Sequence, residues 1–515
     1  MQDNPVMMNP RSKTMLDEGR YEFAIDALKK TAEIQTSDNI FFSPDSIHSA
    51  LTLAYFGARG NTEASLKKAL HIPDDLSKID VMRYYAFEKS IKQKKEDNGS
   101  ANYEYKSANR LWVTNARKLR DCMLDLFNDQ LVKVDFKSNP MAVRKSINDW
   151  VSNTTKGHIR DLLPEDSITE DTDLVLANAV YFKGLWQSRF DPANSKRDIF
   201  YTPGSQNSVI TFMRQKKTFN HVVSEELGAH ILELPYKGQE ISMFVLLPPF
   251  AAARFLNDGA NRTQGDGGIR NVLQRISTEA GATELRILLD DGMPSRQVEV
   301  SLPRFELERE LPLVPLLRSL GAGDLVIPGV ADLGDFLADG EKSLHLGDAV
   351  HRAKIEVTEE GTTAAAATAL FSFRSSRPSE PAVFNANHPF IYFIYDKPTH
   401  SILFCGIYQI YFIGYISILY NLYRLQLCNI ASTSCLVGQL TKFESVPATM
   451  PLISINNVPN DQTIHICNLC ISLCNERNYI YFVYNIYNSY MYCILILPLI
   501  MRFFLYPISS IIFST

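Results

Sequence analysis

At 515 residues the chain can bury one large hydrophobic core with length to spare. Lys and Arg total 52 against 57 Asp and Glu, and the net charge of -5 supplies no basic field for a phosphate backbone, so nucleic acid is excluded as a partner class. Of the 8 cysteines only Cys122 and Cys405 precede residue 409, whereas Cys428, Cys435, Cys467, Cys470, Cys474 and Cys493 crowd the end, so the main body is no disulfide scaffold.

Residues 1–14 hold Asn, Pro, Arg and Lys without an apolar stretch, and are expected to be a disordered lead-in that carries no export signal. From 14 to 69 the pattern is helical, with Phe23, Ala24, Ala27 and Leu28 on one face and Ile47, Ala50, Leu51, Leu53 and Ala54 on another. Between those runs Ser43-Pro44-Asp45-Ser46 supplies a helix start, since proline fits the first turn and a hydroxyl or carboxylate caps free amides. Residues 174–182 and 231–247 are β-branched and aromatic between turn formers, and read as strands. The stretch 257–268 is dense in Asn, Asp and Gly and is expected to be a surface loop. Asn98, Asn153 and Asn261 begin glycosylation acceptor triplets, which matter only outside the cytosol. On that ground a secreted, extracellular glycoprotein is expected, its leader lying upstream of Met1, with the cytoplasm as the alternative.

Past Tyr408 the composition turns to Ile, Tyr, Leu, Asn and Cys with few charges. Residues 478–501 are long enough to cross a bilayer, but Asn478, Asn485, Asn488 and Pro498 oppose it, and a membrane role is not favoured. Cys467, Cys470, Cys474 and His465 lack the second pair a zinc site needs. The enrichment is that of A/T-rich codons, so 409–515 is expected to be a disordered or frame-shifted hydrophobic tail. No phosphate-binding glycine loop, nucleophile elbow, paired-His helix or calcium loop stands in a suitable context, so the chain is expected to be no enzyme and to hold no cofactor or metal.

The segment Glu359, Glu360, Gly361, Thr362, Thr363, Ala364, Ala365, Ala366, Ala367, Thr368 joins two acids to a run of small residues. Alone, such an alanine run reads as a turn of helix. Here 350–357 before it and 384–395 after it read as strands, leaving an exposed connection of the length that is usually functional or disordered. This stretch resembles the hinge of inhibitory serpins. The resemblance extends in order through Asn39-Ile40-Phe41-Phe42-Ser43-Pro44, Gly57 to Thr62, Asn148-Asp149-Trp150-Val151, Asn178 to Gly184, Leu234-Pro235-Tyr236-Lys237-Gly238, Leu302-Pro303-Arg304-Phe305 and Asn387-His388-Pro389-Phe390. It covers 15–408 and ends at Ile402 to Gly406.

The resemblance implies an α+β serpin fold with three β-sheets, about nine helices, an exposed reactive-centre loop over about 359–384 and a metastable native state. It implies a monomeric suicide substrate: a serine protease cleaves the loop, and the freed strand then inserts into the central sheet while the protease stays covalently attached. Alternation would send Thr362, Ala364, Ala366 and Thr368 inward and Thr363, Ala365 and Ala367 outward. The family interval from Glu359 marks Ser375-Ser376 as the scissile bond. Chemistry favours Arg374-Ser375, because a trypsin-like enzyme sets a cation against a buried carboxylate. Ser43, Ser46, Asn178 and His351 match the family's sheet-opening cluster, and Trp186 matches the aromatic where the loop first inserts. Lys89, Lys92, Lys94 and Lys95 could meet a sulfated glycosaminoglycan, but a solvated helix end explains them better. A chaperone, carrier or storage serpin and a membrane-tethered protein are the alternatives.

Overall fold

The computed structural model describes residues 9–36, 38–97, 102–127, 129–202, 207–250, 267–341, 343–361 and 380–410, with three strands nearer the end of the chain. The chain separates into two compact units, Met1–Phe412 and Ile413–Thr515. The first helix, α1 (Pro10–Ile34), starts inside the stretch expected to be disordered. The Asn9 carboxamide accepts from the Arg11 amide at 3.0 Å, and Pro10 occupies a position whose missing N–H costs nothing, so the helix is capped earlier than its apolar period begins.

α2 (Pro44–Gly57) is buried at every position but Ser49, its polar Asp45, Ser46, His48 and Thr52 included. Its start is the expected one, with the Ser43 hydroxyl accepting from the Ser46 amide at 3.1 Å. Next come α3 (Gly60–Ala69), α4 (Lys78–Asp97), α5 (Asp121–Leu126) and α6 (Pro140–Thr154), then α7 (Gly267–Ile276), α8 (Glu279–Asp290) and α9 (Leu313–Ser319). Nine α-helices therefore stand among the described residues, together with β-sheets, and the class is α+β.

The five-stranded sheet positions the site. It comprises β2 (Tyr103–Thr114), β3 (Leu131–Val134), β4 (Leu174–Gly184), β10 (Phe305–Pro312) and β11 (Asp348–Val357), in the order β10-β11-β4-β2-β3. β11 meets β4 in parallel register, His351 opposite Asn178, while β10–β11 and β2–β4 pair antiparallel. The second sheet takes β1 (Ile40–Phe42), β5 (Lys196–Phe200), β6 (Ser208–Ser224), β7 (Ala229–Pro235), β8 (Ile241–Leu247), β9 (Ser295–Pro303), β12 (Ala382–Asn385), β13 (Phe390–Asp396) and β14 (Ser401–Tyr408).

Two sequence expectations change here. Within the first unit the described residues form two sheets, not three, because β6 is long enough to pair with β5 and β9 through one part and with β7 through the other. One shared strand fuses what would otherwise be separate sheets. The stretch 384–395 is likewise two strands, β12 and β13, interrupted near Pro389, which has no amide for a ladder. Within the second unit β15 (Leu469–Cys474), β16 (Tyr479–Ile486) and β17 (Tyr490–Ile496) form an antiparallel sheet. Strands thus occupy much of 478–501, and among the described residues no helix is long and apolar enough to cross a membrane.

Candidate functional site

A strand entering between two parallel neighbours pairs with both in the same sense, and one that folds back from the end of either neighbour is antiparallel to both. At the β4–β11 contact the four polar residues expected at the opening point are brought together and buried, at 0–3% exposure. The Ser43 amide donates to His351 Nε2 at 3.0 Å. A backbone amide can only donate, so Nε2 is unprotonated and Nδ1 carries the proton that bonds Asn178 Oδ1. Burial lowers the His351 pKa to about 3, which keeps the ring neutral at ordinary pH.

The network continues beyond the strands. Asn178 Nδ2 donates to the Ser46 hydroxyl at 2.8 Å and to the Ser46 carbonyl at 3.2 Å, and the Ser43 hydroxyl donates to the Leu403 carbonyl at 2.6 Å. One chain of bonds thereby ties β11, β4, the first turn of α2 and β14. Each member is desolvated, so loss of one leaves its neighbours buried and unpaired.

A second fastening lies where β11 ends. Trp186 Nε1 donates to the Thr358 carbonyl at 2.7 Å, and the Trp186 amide donates to the Glu360 carbonyl at 3.1 Å. The indole stacks on Tyr236 with centroids 4.5 Å apart and planes 10° apart. Gly361 bridges Trp186 in parallel, and a Cβ there would meet the Trp186 carbonyl oxygen at 2.6 Å and Arg189 Cα at 3.0 Å, so a larger residue would push the segment off. Charged groups flank the turn: the Ser195 hydroxyl donates to Glu359 at 2.8 Å, Arg304 stands 3.6 Å from Glu359, and Lys183 reaches Glu356 at 3.1 Å and Glu360 at 3.3 Å.

Sequence reading did not foresee Ser195, Arg304, Tyr236 or the Leu403 carbonyl, whose partners are distant in the chain. The rest of the hinge, Thr362 to Thr368, and the candidate bonds at Arg374, Ser375 and Ser376 lie outside the described residues, as do Asn98, Asn261 and 257–266. Asn153 is exposed near the end of α6, while the Thr155 hydroxyl of its triplet is buried and accepts from the Ile159 amide at 3.2 Å. Lys89 pairs with Asp129 and Lys92 with Asp45, both at 2.7 Å, which consumes two of the four cations considered for a polyanion; the side chains of Lys94 and Lys95 lie outside the described residues. Cys122 and Cys405 are free thiols, and no cluster of three or more metal-ligating side chains occurs among the described residues.

This architecture has known relatives. The family described as "Serpin (serine protease inhibitor)" matches residues 18–409. A Drosophila melanogaster protein named serine protease inhibitor 88Ea is 39% identical over 409 residues, 76% of this chain and 90% of its own length. Serpin B3 of Homo sapiens is 34% identical over 408 residues, 76% of this chain and 98% of its own. Among solved structures, native protease nexin-1 with heparin superimposes with a TM-score of 0.63 at 28% identity, covering 79% of this chain and 100% of that one. Maspin gives 0.65 at 25% identity, covering 77% and 99%. The chain belongs to the serpin family, a family of serine protease inhibitors.

Proposed function

We propose that the protein inhibits trypsin-like serine proteases as a suicide substrate, presenting 359–384 as bait and inserting the cleaved segment between β4 and β11. The observation that carries this reading is the parallel β4–β11 pair, with the hinge continuing directly from the end of β11. A segment folding back from that end runs antiparallel to both strands and finds ladder partners on either side. Gly361 to Thr368 suits the passage, because its small side chains can be packed under covering helices whereas charges there would be stranded. Ser43, Ser46, Asn178 and His351 would hold the sheet shut until cleavage, and Trp186 would guard the point where insertion begins.

Arg374-Ser375 is the proposed scissile bond, with Ser375-Ser376 as its neighbour. The serpin domain is taken as 15–408, acting as a monomer, with 409–515 as a tail outside the inhibitory machinery. Secretion is proposed on the three acceptor triplets alone; a mobility shift on enzymatic deglycosylation supports it, and no shift favours the cytoplasm. The test of function is to mix the protein with trypsin and run the products on a denaturing gel. A complex that survives denaturation, with a released peptide beginning at Ser375, is the expected result. Clean cleavage without a complex would sink the inhibitor reading and leave a serpin that is only a substrate.

A further inference from the structure

The β6–β7 hairpin carries two histidines on one face. His221 pairs with Leu232 and Val223 with His230, so strand alternation makes the two imidazoles diagonal neighbours on the same side of the ladder, within reach of each other. Their ring centroids lie 5.7 Å apart with the planes at 50°. The hairpin is pinned at both ends: the His221 amide donates to the Pro294 carbonyl at 3.1 Å, the Leu227 amide donates to the Ser224 hydroxyl at 3.1 Å, and Arg275 Nη1 donates to the Glu225 and Glu226 carbonyls at 2.7 and 2.8 Å. The spacing of the rings is therefore set by the backbone.

His221 is 2% exposed, yet neither Nδ1 nor Nε2 has a hydrogen-bond partner among the described residues. A buried imidazole left in that state is unfavourable and points to a missing partner. His230 is half-buried, which gives the pair a face toward solvent. Burial, then Arg296, then His230 lower the His221 pKa to about 4, and burial lowers that of His230, so both rings are neutral at ordinary pH. Neutral imidazole is the form that ligates a metal ion. At a Zn–N distance of about 2.1 Å, two imidazoles on one tetrahedral ion have centroids roughly 5–6 Å apart, and the pair already stands at that spacing. Two features limit the affinity: the exposed Arg296 opposes a cation, and among the described residues no third metal-ligating side chain joins the pair.

We propose that His221 and His230 bind one divalent transition-metal ion of the kind that prefers imidazole, zinc or its late first-row neighbours, through one nitrogen of each ring with water in the remaining positions. The ion satisfies the orphaned nitrogen of His221. It also fixes the ring against which Phe384 of β12 packs edge-on, with centroids 6.0 Å apart and planes at 84°. The site needs neither a cleavable loop nor a protease, so it stands or falls apart from the inhibitory reading.

The experiment alkylates the accessible thiols of the full chain, so that cysteine does not compete, and then titrates zinc chloride by calorimetry into the unaltered chain, His230→Ala and His221→Phe. Expected is one zinc-binding step in the unaltered chain that is absent, or weaker by about tenfold or more, in both variants. Zinc should also slow the reaction of His230 with diethyl pyrocarbonate, read by peptide mass spectrometry. Identical zinc isotherms for H230A and the unaltered chain overturn the proposal, as does modification of His230 at the same rate with millimolar zinc as without it. If H221F misfolds, H230A decides alone, because that ring is half-buried and its loss breaks no hydrogen bond among the described residues.

Discussion

The two sheets of the first unit are built on different terms. The nine-stranded sheet carries a large cluster of rings, with Phe41, Tyr392, Phe404, Phe390 and Tyr408 in mutual contact, and polar cross-strand bonds gather at Glu233, away from those rings. The five-stranded sheet has polar groups at its central seam: Asn178 faces His351, and Tyr181 and Lys183 reach Glu356 across the same strand pair. Apolar packing is non-directional and spread over many contacts, whereas a hydrogen-bonded seam is fastened at a few points and can come apart as a unit. Under the proposed mechanism, in which the five-stranded sheet opens once and the other stays closed, the two sheets differ in chemistry more than in shape.

The sharpest way to break that contrast is to stop what the seam is proposed to admit. Thr362→Arg would place an unpaired cation in the inserted strand at a cost of several kcal/mol, and the denaturation-resistant complex with trypsin should disappear while cleavage persists. Next in size is Asn178→Leu, which strands His351 Nδ1 and the Ser46 groups. It should lower stability by about 2–4 kcal/mol in urea unfolding and speed spontaneous loss of inhibitory activity on warming.

The seam should also respond to acid. Burial holds His351 at about 3, against 6.5 for an exposed histidine, and His48, which lies outside the seam in α2 against the Leu70 carbonyl, is held equally low. Between those values the unfolded chain binds the extra protons, so this stability is fully present above about pH 6.5 and is lost as pH falls toward 3. Melting temperature should decline through that window, and His351→Gln should flatten part of the slope. Trp186→Phe removes one hydrogen bond to Thr358 at the edge of the seam. It should cost about 1 kcal/mol and accelerate uptake of a synthetic peptide spanning 362–374, read by native gel mobility. Smallest is Lys183→Ala, whose partly exposed pairs with Glu356 and Glu360 should change stability by less than about 1 kcal/mol.

Much of this was legible before any coordinates. Ser43-Pro44 announced the start of α2, the strands at 174–182 and within 231–247 followed from β-branched and aromatic runs, and the hinge stood out by its small residues. The start of α1 was missed because its cap, Asn9-Pro10, precedes the apolar period by a turn, and period was the signal in use. The division of 384–395 was missed because the aromatic pattern resumes on both sides of Pro389.

What the sequence by itself determined is local: helix caps, the alternation of strands and the run of small residues after Glu360, each set by residues within a turn or two of one another. The tertiary structure alone decided that β6 would fuse two sheets and that β4 and β11 would lie parallel. The physical reason is separation along the chain. Ser43 and His351 stand 308 positions apart, and a hydrogen bond between them has no local signature because neither residue is unusual until folding removes both from water.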